Sequence, residues 1–298
     1  MNYITYNKDK ISKLSLGTVQ FGLNYGIANN GKPTYDNTDT IINYIIDNGI
    51  NTFDTAQSYG DSEKILGNSI KNKKDIFIIS KLASESFTTN LSENIDKSLS
   101  NLKINCMYAL LLHDSKLLYN WEERYTKSIT NLINKNKIKY FGVSIYTNSD
   151  FQLAIQNPNI NFIQIPFNIF DQRAISKRWF QQAKEKNKLI FVRSIFLQGL
   201  LLMEIQDIPA KLKDAINYLK TFELYAKELN ISKSELALSF VNSIATESLI
   251  LFGCDSIKQA QENIENFNSL KQLDTDTIER IHKDFNNINE NIYNPAKW

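Results

Sequence analysis

Four side chains are of types that exchange protons and sit at the ends of apolar runs. Asp54 closes INTFDT, Tyr59 follows five residues later in DTAQSYG, Lys81 closes IFIISKL, and His113 closes MYALLLH. Each has an ordinary role open to it. Asp54 or Asp61 can cap a helix, Lys81 can reach the surface along its stem, His113 can be a satisfied core histidine, and Tyr59 can pack like most of the 14 tyrosines. Taken together the four are hard to assign to packing, because each would need its own partner once buried. An acid, an ammonium, an imidazole and a phenol at the ends of three successive strands read as one site able to hold and pass a proton.

The elements that must position them repeat. Eight short apolar or β-branched runs begin at Leu14, Ile50, Ile76, Met107, Lys139, Ile160, Lys188 and Ser248. Amphipathic segments lie between them; in DTIINYIIDNG, starting at Asp39, the isoleucines 41, 42, 45 and 46 mark one helix face, and Gly49 ends it. Continuous apolar strands alternating with helices predict a parallel sheet covered on both faces, and eight such units predict a single (β/α)8 TIM barrel over residues 1–298. The stretch from Pro209 to Ala245 reads as two helices, with Ser232 and Glu235 as a capping box. After about residue 273 a further helix and a tail lie outside the eightfold count. A barrel builds its pocket at the C-terminal strand ends, where Asp54, Lys81, His113, Ser144, Gln164, Arg193 and Ser194 would converge.

Composition narrows the partners. With 34 basic and 32 acidic residues spread along 298, no basic face for nucleic acid is expected. Cys106 and Cys254 are far apart and form no metal or disulfide pattern, and no metal is expected. No apolar run approaches the roughly 20 residues that span a bilayer, and the N-terminus lacks a signal-peptide core. The expectation is a soluble cytoplasmic protein with a small-molecule partner, without nucleic acid or membrane, as a monomer or homodimer.

The quoted motifs resemble the aldo-keto reductases. LGTVQFG, DTAQSYGDSEKILG, the SKL ending at Leu82, LLLHD, KYFGVSIY, FIQIPFN, RSIFLQGLL and QENIENF cover most of the chain. The resemblance implies reduction of a small-molecule carbonyl by hydride from NADPH, the family's usual cofactor, with NADH possible. It implies that Asp54, Tyr59, Lys81 and His113 are catalytic: Asp54 anchors Lys81, Lys81 acidifies the phenol, Tyr59 donates the proton, and His113 orients the carbonyl. It also implies cofactor contacts from Gly17, Thr18 and Gln20, from Ser144 and Gln164 to the nicotinamide amide, from Arg193 at the position that stacks on the nicotinamide, from Ser194, Leu197 and Gly199 along the diphosphate, and from Gly253, Ser256, Gln259, Glu262 and Asn263 at the adenine end.

The chain departs from the family pattern in four places. Ile145 follows Ser144 where asparagine is common. Arg193 stands where an aromatic ring commonly stacks on nicotinamide. LASESF replaces the tryptophan usual after the lysine, so Phe21, Tyr25, Phe170 or Trp298 would supply the aromatic wall. The positions that carry a 2′-phosphate lysine and arginine fall on Gly253 and Gln259, with Lys258 adjacent, which predicts weak discrimination between NADPH and NADH. Arg193 points to a polar or anionic carbonyl such as a sugar or sugar phosphate, and the RSIFLQGLL and PAKW patterns resemble those of bacterial members found with glycan biosynthesis. The rival readings are a dinucleotide-binding regulatory module and a barrel aldolase using Lys81 as a Schiff base, which Asp54 disfavours.

Overall fold

The structure is a computed structural model that describes residues 1–27 and 31–298. Its centre is a closed barrel of eight parallel strands: β3 (Leu14–Gly17), β4 (Thr52–Asp54), β5 (Phe77–Leu82), β6 (Met107–Leu112), β7 (Ile138–Ser144), β8 (Phe162–Pro166), β9 (Leu189–Arg193) and β10 (Leu249–Gly253), with β10 pairing back onto β3. All six residues of β6 are buried, as strands with one face on the barrel interior and the other on helices must be.

The barrel interior is filled by Ile79, Ala109, Leu111, Phe162, Phe191, Leu249 and Leu251. Its N-terminal end is closed by an antiparallel hairpin, β1 (Tyr3–Tyr6) with β2 (Asp9–Ser12), whose Tyr6 and Ile11 join that interior cluster. Tyr6 lies 5.2 Å from the Phe162 ring. The hairpin turns at Asn7 and Lys8, both with positive φ, as a two-residue turn of that hand requires. Strands of only four residues, YITY and DKIS, are too short to show a clear period, and the hairpin is absent from the sequence reading.

Strand alternation sets the aim of the polar residues. Lys81 follows Ile79 by two and shares its inward face, whereas Ser80 faces outward and donates to Glu63 Oε1 at 2.6 Å on helix Ser62–Ile70. The helix expected from Asp39 begins four residues earlier, at Tyr35, because Thr34 accepts from Asn37 N. The two helices between Pro209 and Ala245 are Ile216–Leu229 and Lys233–Ile244. Ser232 accepts from Glu235 N (3.1 Å). The C-terminal segment forms helix Thr275–Phe285 and a short turn of helix at Glu290–Tyr293; Phe285 stacks on Phe170 at 5.4 Å and ties the tail to the barrel. Among the described residues, no helix is long and apolar enough to cross a membrane.

Candidate active site

Lys81 is buried and donates to Asp54 Oδ2 at 2.6 Å and to the Thr55 carbonyl at 2.9 Å. Its ammonium stands 3.5 Å from Tyr59 Oη and 4.9 Å from the centre of that ring. The second Asp54 oxygen accepts from Gln164 Nε2 at 2.8 Å. His113 packs edge-on to Tyr59, centroids 5.4 Å apart, and its Nδ1 is 3.0 Å from Ser58 Oγ. The four residues singled out by type therefore meet at the C-terminal ends of β4, β5 and β6. Asp61, the other carboxylate near this helix start, occupies the N-cap without a side-chain bond to it.

The electrostatics differ from the expected acidified phenol. Burial, and then the Asp54 carboxylate, push Tyr59 well above the ordinary phenol range, while Arg193 opposes them. Burial also lowers Lys81, against the pull of Asp54. His113 is lowered to about 4 by burial, Lys81 and Arg193, so it is neutral at neutral pH. The phenol is thus a protonated donor, held so by burial and by the Asp54 carboxylate against the opposing charge of Arg193.

A cleft of about 560 Å³ runs from this cluster. Its wall includes Gly17, Thr18, Gln20, Gln164, Arg193, Ser194, Gly199, Gly253, Gln259, Glu262 and Asn263 from the sequence-predicted set. The Thr18 hydroxyl is spent on the fold, donating to the Asp54 carbonyl (3.0 Å) with Ser62 Oγ at 2.6 Å. Ser144, Leu197 and Ser256 lie off the wall. Ser144 ends β7 with its hydroxyl unbonded among the described residues, Leu197 is fully buried in the core, and Ser256 caps helix Ile257–Asn268 by accepting from Gln259 N at 3.3 Å. Of the four aromatics expected to rebuild the wall, only Tyr25 lines it. Phe21 and Phe170 are core residues, and the Trp298 indole donates to Asn291 O instead. Phe196 and Phe252 supply the remaining rings with Tyr59.

Sequence reasoning missed Met203 and the run Ser232, Lys233, Ser234 on the same wall. The capping pair at Ser232 and Glu235 held the signal: in a βα unit a helix N-terminus faces the strand ends, so a recognised cap is also a recognised cleft residue. Lys233 donates to Met203 O (2.8 Å) and pairs with Glu204 (3.0 Å) and Glu223 (3.6 Å).

The cleft fits an extended dinucleotide. Two twelve-residue helices, Lys233–Ile244 and Ile257–Asn268, begin at it and present backbone N–H groups suited to phosphate. Gln20 Oε1 is buried on its wall without a partner, beside Gly253, where a Cβ would lie 2.3 Å from Gln20 Nε2. No cluster of three potential metal ligands occurs among the described residues.

A closed parallel barrel with a titratable cluster at its strand ends and a long cleft beside it is the architecture of a (β/α)8 barrel enzyme. The chain belongs to the Aldo/keto reductase family, which it matches over residues 13–284. It is similar to the uncharacterized oxidoreductase YqkF of Bacillus subtilis, at 24% identity over 82% of this chain and 89% of that one. Among solved structures it resembles the aldo-keto reductase AKR11C1 of Bacillus halodurans in its holo form (TM-score 0.78, 18% identity, covering 100% and 99% of the two chains). It also resembles an aldo/keto reductase of Klebsiella pneumoniae in complex with NADP and acetate (TM-score 0.74, 18% identity, 95% of each chain).

Proposed function

We propose that this protein reduces an aldehyde or ketone to the alcohol with NADPH, whose oxidised form NADP is bound in the Klebsiella pneumoniae relative's crystal, and that Tyr59 Oη is the proton donor. The observation that carries the reading is the buried Asp54–Lys81 pair with its ammonium 3.5 Å from Tyr59 Oη at the head of the cleft. When bound, a reduced nicotinamide supplies the hydride.

This chain's residues hold and move the proton. Negative charge grows on the carbonyl oxygen as it is reduced, and an alkoxide is a stronger base than even a phenolate of raised pKa. The phenol therefore keeps its proton until the oxygen becomes an alkoxide, and then transfers it. The Lys81 ammonium faces the phenolate left behind and stabilises it, while Asp54 holds that ammonium in place. With His113 neutral, the tautomer that accepts from the Ser58 hydroxyl at Nδ1 carries its ring proton on Nε2, where it is available to the carbonyl oxygen.

Gln164 would hold the nicotinamide amide, and a bound cofactor would give the buried Gln20 oxygen a partner. Ser194, Gly199 and the N-terminus of Lys233–Ile244 would hold the diphosphate, and Gln259, Glu262 and Asn263 the adenosine. The polar wall at Gln20, Gln164 and Arg193 suits a hydroxylated carbonyl such as a sugar derivative. Two free cysteines fit a reducing cytoplasm. The test is Tyr59→Phe: turnover of 4-nitrobenzaldehyde with NADPH should fall by about 10³-fold, the scale of a positioned general acid, while NADPH binding, read by protein fluorescence, stays within about twofold. Unchanged turnover would remove Tyr59 from the reaction.

A further inference from the structure

The head of the cleft carries a cation that no carboxylate pairs with among the described residues. Of the five arginines in the chain, Arg124, Arg173 and Arg280 meet the carboxylates of Glu122, Asp171 and Glu228. Arg178 bonds the Gln181 amide oxygen at the surface. Arg193, half-buried at the end of β9, has no carboxylate partner among the described residues and lines the cleft with Tyr59 and Gln164. Asp54 and Lys81 cancel and His113 is neutral, so Arg193 sets the local charge at the reacting end.

Its guanidinium is also held in one orientation. Cζ lies 4.2 Å over the Tyr146 ring, Nη1 donates to Ser194 Oγ at 3.2 Å, and Nη2 donates to the Ile145 carbonyl at 3.2 Å. Ser194 takes a left-handed backbone (φ 63°), and its own carbonyl accepts from Asn168 Nδ2 at 3.0 Å. These bonds spend two of the five guanidinium N–H groups and leave three without a partner among the described residues. A partly desolvated cation with its fork fixed and donors unspent is a preorganised carboxylate or phosphate site.

Two sources of that anion exist, the substrate and the cofactor's own phosphates. Position favours the substrate. Arg193 lines the same cleft wall as Tyr59, Asp54 and Gln164, at the end of β9, and its charge also bears on Tyr59, His113 and Lys81. The helix N-termini suited to phosphate lie instead at Ser232–Ser234 and at Asp255–Gln259. We infer that Arg193 anchors a carboxylate or phosphate carried by the carbonyl substrate, so that the preferred substrates are anionic aldehydes or ketones. This rests on the carbonyl-reductase reading above.

The experiment compares matched pairs on the intact enzyme with NADPH: 4-carboxybenzaldehyde against its neutral carboxamide, and glyceraldehyde 3-phosphate against glyceraldehyde. The wild type should favour at least one anionic member by about 10-fold or more in kcat/KM, the worth of one charge-assisted contact. Arg193→Gln should bring that ratio to near one, and Arg193→Lys should keep part of it. The pair that responds identifies carboxylate or phosphate. Equal treatment of both members by the wild type, or a preference that survives Arg193→Gln, overturns the inference. So does a loss of NADPH affinity in Arg193→Gln with the ratio intact, which would assign the cation to the cofactor. Turnover of no carbonyl at all by the wild type would be a failure of the reductase reading itself.

Discussion

Gly22 packs against the backbone of Tyr59 so closely that a Cβ on Gly22 would lie 1.6 Å from the Tyr59 carbonyl oxygen. The contact is reciprocal: Gly60, at φ 56°, presents its Cα to the Gly22 carbonyl, where a Cβ would come within 2.6 Å. The glycine that ends DTAQSYG thus fixes the height at which Tyr59 leaves the strand end. Gly22→Ala must push the Tyr59 backbone away, and displacing a proton donor by about 1 Å costs about 100-fold in rate. We expect kcat for aldehyde reduction to fall by at least that factor, with only a modest drop in melting temperature. A kcat within twofold of wild type would show that the loop absorbs the change.

The pH profile follows from Tyr59 and His113, two of the perturbed groups at the site. Tyr59 is raised above the usual phenol range, so it stays protonated across the working range and reduction should show no loss of kcat from its ionisation between pH 6 and 9. Alcohol oxidation needs the phenolate and should climb with pH throughout that range. His113 titrates at about 4 in the fold against an ordinary 6.5. The unfolded chain therefore binds a proton that the folded chain refuses between those values. That contribution to stability is complete above 6.5 and declines as pH falls toward 4. Thermal melts of the wild type and His113→Asn should converge as pH drops from 7 to 4, and parallel curves would assign the acid sensitivity elsewhere.

Much of this was legible from residue types and period. Continuous apolar runs such as MYALLL are buried on both faces only in a parallel sheet, and strand alternation alone puts Lys81 on the same side as Ile79. What was not legible depended on three-dimensional neighbours. The hairpin that closes the barrel is built from short four-residue strands whose Tyr6 packs on Phe162 and Tyr140, far along the chain. The sign of the Tyr59 shift depends on how much water and how much of the Asp54 charge reach the phenol, which spacing does not encode. Phe21 and Phe170 are aromatic and near the right motifs, yet helices cover them, and only packing separates a core ring from a cleft ring.

The Asp54–Lys81 pair invites a double-mutant test. Replacing Lys81 by Met leaves Asp54 buried with only Gln164 as a partner, and removing one member of a buried pair costs about 3–5 kcal/mol. Asp54→Asn with Lys81→Met removes both charges and should recover most of that stability without recovering turnover. Urea denaturation of the single and double variants measures the coupling. A double variant no more stable than Lys81→Met would mean that the pair contributes little to the fold.

Cofactor choice turns on the charges of the cleft wall. Lys233 is the lysine on it, and that ammonium is already paired with Glu204 and near Glu223. Asp255 and Glu262 add negative charge, and Lys258 beside them is largely exposed and 3.9 Å from Glu262. A 2′-phosphate dianion is held tightly when two cations meet it directly, and here each candidate cation is shared with a carboxylate. Titration of protein fluorescence should therefore give dissociation constants for NADPH and NADH within about tenfold of each other, since a tenfold ratio corresponds to only about 1.4 kcal/mol. Lys233→Met should narrow the ratio further. A preference for NADPH of a hundredfold or more would mean that Lys233 or Lys258 leaves its carboxylate for the phosphate when the cofactor binds, and Glu204→Gln would then strengthen NADPH binding.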